Sequence, residues 1–98
     1  MISYYELIKK SKPLNKAKKV KFDPLQNVFL ASYHKHIGIE ILGVASGMLL
    51  TLSDGKTTLE DIVKSLSQKF KVSETEIEER VVIEVRNLQR KHLLYFEV

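Results

Sequence analysis

The sequence predicts an α+β domain in which a three-stranded antiparallel sheet precedes three helices and a short C-terminal wing. Three observations predict it. Apolar residues alternate with period two up to Ile41, the period lengthens to that of a helix from Gly43, and two Ser/Thr-x-x-Glu sequences in the second half mark helix starts. With 98 residues, 44% of them hydrophobic and 29% charged, the chain has the size and composition of one small folded domain with its own core.

Lys18 to Phe22, Asn27 to Ser32 and Lys35 to Ile41 read as strands. Asp23-Pro24 supplies the turn between the first two, because Asp favours the first turn position and Pro presets φ at the second. In the third strand Ile37, Ile39 and Ile41 share one face and Gly38 and Glu40 the other, the pattern of a half-buried strand. Gly38 in mid-strand marks a bulge or a place where another backbone comes close.

Val44, Met48 and Leu52 align along the first helix, which Asp54-Gly55 ends as a left-handed cap. Gly43 and Gly47 admit close packing of this helix. Thr57-Thr58-Leu59-Glu60 is a capping box, in which the hydroxyl and the carboxylate each satisfy a free backbone N–H. It opens a second helix with Leu59, Ile62, Val63, Leu66 and Phe70 on its core face. Ser73-Glu74-Thr75-Glu76 repeats the box, and Ile77, Val81, Val85 and Leu88 carry a third helix to the region of Lys91. Leu93 to Val98 forms a short strand or wing. Residues 1–17 form a basic N-terminal arm with two readings: a mobile tail, or a helical turn or two through Ile2, Tyr5 and Ile8.

Several functions are excluded by composition. Without cysteine there is no disulfide, thiolate zinc site, iron–sulfur cluster or cysteine nucleophile. The longest apolar stretch, Val44 to Leu52, is interrupted by Ser46, Gly47 and Thr51 and is far shorter than the roughly 20 residues that span a bilayer. No export signal opens the chain, so the cytoplasm is the expected location. His34-x-His36 places two imidazoles on one strand face without a third ligand, and reads as strand or surface histidines. No nucleophile elbow, Walker loop, zincin or dinucleotide glycine pattern occurs. The expectation is a protein with no catalytic residue, no metal and no cofactor.

The net charge of +4 is unevenly placed: residues 1–26 hold seven lysines against Glu6 and Asp23, which leaves the rest of the chain close to neutral. Any affinity for a polyanion therefore rests on the N-terminal lysines.

Leu52-Ser53-Asp54-Gly55-Lys56-Thr57-Thr58-Leu59-Glu60-Asp61-Ile62-Val63 is similar to an "L-x-D-G-x-x-T/S-x-E-E-I" passage between two helices. Phe70-Lys71-Val72-Ser73-Glu74 and Ile77 to Leu94 are similar to a second passage, "F-G-V-x-x-E-x-V-x-x-D-V-x-x-F-L-x-x-L-x-x-x-G-L-L". On these residues the chain, from 27 to 94, resembles the PqqD-like family of RiPP recognition elements, small winged helix-turn-helix modules. The resemblance places that domain at residues 18–98. Arg80 departs from the family's usual Asp, Glu84 from its frequent Phe, and Lys71 and His92 from its glycines. A left-handed His92 costs strain that glycine avoids.

The resemblance implies a non-enzymatic peptide chaperone of natural product biosynthesis. Such modules bind the leader segment of a ribosomally made precursor peptide. They present it to a modifying enzyme, commonly a radical-SAM maturase, a cyclase or a protease. The leader adds as a strand to the third strand and lies beside the third helix. Here that edge is Ile37, Gly38, Ile39, Glu40 and Ile41. About five ladder bonds at about 1 kcal/mol each face an association cost of at least about 4 kcal/mol. Micromolar binding needs about −8 kcal/mol, so two or three apolar leader side chains, each contributing roughly 1.5 to 3 kcal/mol, must also be buried. On the third helix Arg80, Ile83, Asn87 and Lys91 share one flank, with Glu84 at its border, and are the groove candidates. The opposite flank, Glu78, Val82 and Gln89, stays open as an alternative.

Two other functions stand beside this one. A winged helix can read DNA with its third helix. Here the N-terminal turns of that helix carry Glu74, Glu76, Glu78 and Glu79, which repel a polyanion, and only the N-terminal lysines favour one. The exposed strand edge also suits a protein-interaction module or a homodimer.

Overall fold

The computed structural model describes residues 2–35 and 37–97. Along the chain run α1 (Tyr4–Ile8), β1 (Lys12–Asn15), β2 (Lys19–Asp23), β3 (Val28–Ser32), β4 (Ile39–Leu42), α2 (Val44–Leu52), α3 (Leu59–Phe70), α4 (Glu74–Arg90) and β5 (Leu94–Glu97). The expected meander is β2-β3-β4, antiparallel throughout, with Val20 opposite Ala31 and Ala31 opposite Glu40. The Asp23 carboxylate accepts from the Leu25 N–H (3.0 Å), which tightens the first turn as its sequence predicts. The three helices follow in the expected order, and β5 is the wing. No described helix is long and apolar enough to cross a membrane.

Four expectations are corrected. The third strand is Ile39–Leu42, and Ile37 and Gly38 precede it in an exposed loop. Its isoleucine face points outward: Ile39 and Ile41 are 63% and 64% exposed, while Leu42 is buried and Glu40 half-buried. The α3 cap is Thr58, whose hydroxyl accepts from the Asp61 N–H, because the Thr57 hydroxyl is already bonded to Asp54. On α2 the buried residues are Ser46, Gly47, Leu49 and Leu50, and Val44, Met48 and Leu52 are only half-buried.

Of the two readings of residues 1–17 the helical turn holds, as α1, and over most of the segment the chain is built into the domain. β1 pairs with β5, Lys12 opposite Glu97 and Asn15 opposite Leu94. Pro13 is fully buried. The Asn15 N–H donates to Ser53 O and the Gly55 N–H to Pro13 O (2.8 Å each). The first two amides of α3, at Leu59 and Glu60, donate to Ser11 O and Lys9 O (2.9 Å each), so main-chain carbonyls satisfy donors that would otherwise face water. α1 lies on α4, with Tyr5 buried, and desolvation there pushes the Tyr5 hydroxyl up to about 12.

One core joins the pieces. Ile77, Val81, Val85 and Leu88 of α4 meet Leu49 and Leu50 of α2, Leu59, Ile62, Val63 and Leu66 of α3, and Leu93 and Leu94 at the wing. α2 approaches β3 so closely that a Cβ on Gly47 would lie 2.1 Å from the Phe29 ring, whereas one on Gly43 would meet nothing within 4 Å. Lys71 (φ 57°) and His92 (φ 60°) both stand in the left-handed region, as their alignment with glycines predicts. Lys71→Gly and His92→Gly are each expected to stabilise the domain by about 0.5–1 kcal/mol, because relief of the left-handed strain outweighs glycine's added freedom in the unfolded chain. Urea midpoints check this.

Candidate functional site

β4 is the last strand of its sheet, so one side of its backbone carries no partner strand. One contact to β4 and two to its neighbours in the chain set α4 beside it, running in the opposite direction. Near the end of α4, Lys91 Nζ lies 3.2 Å from Glu40 Oε2 on β4, and the Tyr33 hydroxyl donates to Lys91 O (2.9 Å). Two turns back, Glu84 Oε2 accepts from the Ser46 hydroxyl (2.7 Å) at the start of α2. Burial, reinforced by the Glu40 carboxylate, holds the Tyr33 hydroxyl above the usual tyrosine range. A protonated Tyr33 therefore donates throughout the physiological range.

The sequence-predicted residues fall around this groove as follows. Arg80, Asn87 and Lys91 share the flank of α4 that turns toward β4 and α2, and Ile83, 54% exposed, stands at its outer side. Glu84 is buried, 6% exposed, with Ser46 on one oxygen, Asn87 Nδ2 on the other at 3.3 Å, and the Arg80 guanidinium at 3.7 Å. It is a wall of the groove whose polar atoms are already occupied. On β4, Glu40 turns inward to Lys91, and Ile39 and Ile41 turn outward beside Leu30. Ile37, fully exposed, and Gly38 lie in the loop that leads into the strand.

The opposite flank of α4 is covered. Arg86 sits 4.4 Å over the Tyr4 ring, and Glu78 and Val82 line one cleft with Ser3, Tyr4 and Tyr5. α4 therefore has α1 on one side and the edge of β4 on the other.

Sequence reasoning missed two features. A cavity of about 400 Å³ opens between α2, α3 and α4, lined by Val44, Ala45, Leu49, Leu66, Phe70, Ile77 and Val81 with Arg80 and Glu84. Its signal was present in Phe70 and Ile77, apolar residues at the facing ends of two helices. At the other end of α4, a pocket of about 350 Å³ lies among Lys16, Tyr33, His34, Lys35, His92 and Tyr95. No local pattern could join residues so far apart in the chain. His36, the second half of the histidine pair, lies outside the described residues. Among the described residues no three His, Asp or Glu side chains cluster as metal ligands.

Three core helices, a paired wing and an edge strand beside the last helix define a winged helix-turn-helix module. The family model for coenzyme PQQ synthesis protein D (PqqD) matches residues 34–94, more than half of the chain, and the protein belongs to this family. The fold is similar to the solution NMR structure of the PqqD truncation of Methylobacterium extorquens PqqCD, described as a functional and stand-alone RiPP recognition element. The TM-score is 0.68 at 21% identity, over 85% of this chain and 87% of that one. No curated protein matches the chain.

Proposed function

We propose that this protein is a RiPP recognition element: a non-catalytic module that takes the leader of a ribosomally made precursor peptide as an added strand on β4 and presents it to a modifying enzyme. The observation that carries the reading is the unpartnered edge of β4 set beside α4 in a member of the PqqD family. Its support from known proteins is the description of the Methylobacterium extorquens domain as such an element. Strand addition supplies main-chain bonds, and the cavity beside Val44 and Leu66 supplies the apolar burial that main-chain bonds alone lack. The enzyme served belongs to the radical-SAM maturases, cyclases or proteases, and the site of action is the cytoplasm.

The test is a fluorescence-polarisation titration with a labelled leader from a short open reading frame encoded nearby, with random duplex DNA as competitor. Micromolar binding that DNA does not displace is expected, and amide shifts should cluster on Ile39 to Leu42. Binding by DNA alone, with steep salt dependence, would make the protein a winged-helix regulator instead. Ile83→Glu is expected to weaken the leader by tenfold or more, on the order of the 1.4 kcal/mol that one decade represents, without changing the unfolding free energy by more than about 0.5 kcal/mol. Unchanged affinity would move the groove away from this flank.

A further inference from the structure

The two ends of the groove differ in chemistry. The cavity at the first half of α4 is apolar, and its one carboxylate, Glu84, is already bonded to Ser46 and Asn87. The pocket at the other end gathers Lys16, Lys35, His34 and His92 around Tyr33 and Tyr95, and among the described residues no acidic side chain lines it. Lys16 lies 5.5 Å from the centre of the Tyr95 ring, and among the described residues neither Lys16 nor Lys35 forms an ion pair. Nearby Lys91 is already held by Glu40. One end therefore accepts an apolar side chain, and the other gathers two lysines and two histidines, the neighbouring Glu40 carboxylate being held by Lys91.

Direction and spacing follow from the same elements. β4 runs opposite to α4, since Glu40 meets Lys91 while Ser46, beyond the end of β4, meets Glu84. A strand added antiparallel to β4, the slightly more stable pairing, runs with α4 from the cavity to the basic pocket. Between Arg80 or Glu84 at the cavity and Lys91 or His92 beside the pocket the chain of α4 advances seven to twelve residues, about 10–18 Å at about 1.5 Å each. An extended chain covers that in about three to five residues. Strand alternation selects four, because only an even spacing turns both side chains to the same face.

We propose that the groove selects an extended peptide carrying a bulky apolar anchor and, four residues toward its C terminus, an Asp or Glu, the anchor entering the cavity and the carboxylate the Lys16–Lys35–His92 pocket. This rests on the strand-addition reading above and adds to it a charge pattern, a spacing and a direction.

The test uses the full chain, ¹⁵N- and methyl-labelled, and a series of short acetylated, amidated Thr/Ser/Val peptides. One carries Leu-x-x-x-Glu, the second Leu-x-x-x-Lys, the third Leu-x-Glu, and the fourth Glu-x-x-x-Leu. The first is expected to bind at least about tenfold more tightly than any other, the loss of one charge-assisted contact. It should shift the Leu49 and Leu66 methyls together with the amides of Lys35 and His92. In Lys35→Glu, and in Lys16→Glu as an independent variant, the preference between the first two peptides should disappear or invert. Equal binding of all four with shifts on β4 would leave strand addition standing and overturn the pattern proposed here. Binding without β4 shifts would overturn strand addition itself. No binding by any of the four, or stronger occupation of the basic pocket by oligothymidylate than by the first peptide, would also overturn the proposal.

Discussion

Gly47→Ala is expected to lower the unfolding free energy by about 3 kcal/mol or more, at the upper end of what overpacking costs. Three atoms of Phe29, its Cβ, Cγ and Cδ1, would lie 2.1–2.6 Å from the new methyl. None is the far end of a flexible chain. Phe29 is also held against Phe22, with ring centroids 5.0 Å apart, so the added volume must push α2 off the sheet or turn both rings. Urea denaturation followed by circular dichroism measures the loss. Two controls sharpen it: Gly43→Ala, whose methyl meets open space, should stay within about 1 kcal/mol of the parent. The double variant Gly47→Ala/Phe29→Ala should lose less than the sum of its singles, because removing the ring removes the clash. Strict additivity would show that Gly47 serves something other than close approach.

Removing residues 2–15 is expected to destabilise the remaining domain by on the order of 4 kcal/mol, one lost contribution of about 1 kcal/mol for each of four main-chain bonds. Those bonds tie Ser53, Gly55, Leu59 and Glu60 to the segment. The truncation also strips β5 of β1, the strand it pairs with, and uncovers the core where Tyr5 and Pro13 sit. Against a typical total of about 5–15 kcal/mol, such a loss leaves a substantial unfolded fraction. Heteronuclear NMR of the truncated chain, with its urea midpoint, checks this. An unchanged spectrum from β2 to α4 and an unchanged midpoint would make the segment an appendage.

Most of the frame was legible in local patterns. The helices announced themselves by period and caps: Ser73 accepts from the Glu76 N–H, and the Ile77-Val81-Val85-Leu88 stripe is buried throughout. Position 84 also lies on that side, seven residues from Ile77, but a lone glutamate there gives no hint of Ser46, its partner 38 residues earlier. The isoleucines of β4 show why alternation defines two faces without saying which one goes inward. Leu42 and Glu40 share the inner face, and the Lys91 ammonium makes a half-buried glutamate there tolerable. The flank of α4 that faces β4 was readable from helical geometry. That α1 covers the other flank was not, because five residues of helix carry too little periodic signal to outweigh the lysines around them. β1 was the least legible element, four residues that include a proline and a lysine, with a partner at the far end of the chain.

That pairing also sets an order of events in folding. β1 cannot close its ladder until Leu94–Glu97 exists, about 80 residues later, whereas β2, β3 and β4 pair through short turns and the helices form locally. At cellular elongation rates the N-terminal strand waits on the order of 4 to 16 s for its complement. From the time α3 is made until β5 follows it, the start of α3, which borrows the carbonyls of Lys9 and Ser11, is held by the Thr58 cap alone or by an unanchored segment. The two-stranded wing thus works as a late clasp, closing on a sheet and helices that can form before β1 and β5 have met.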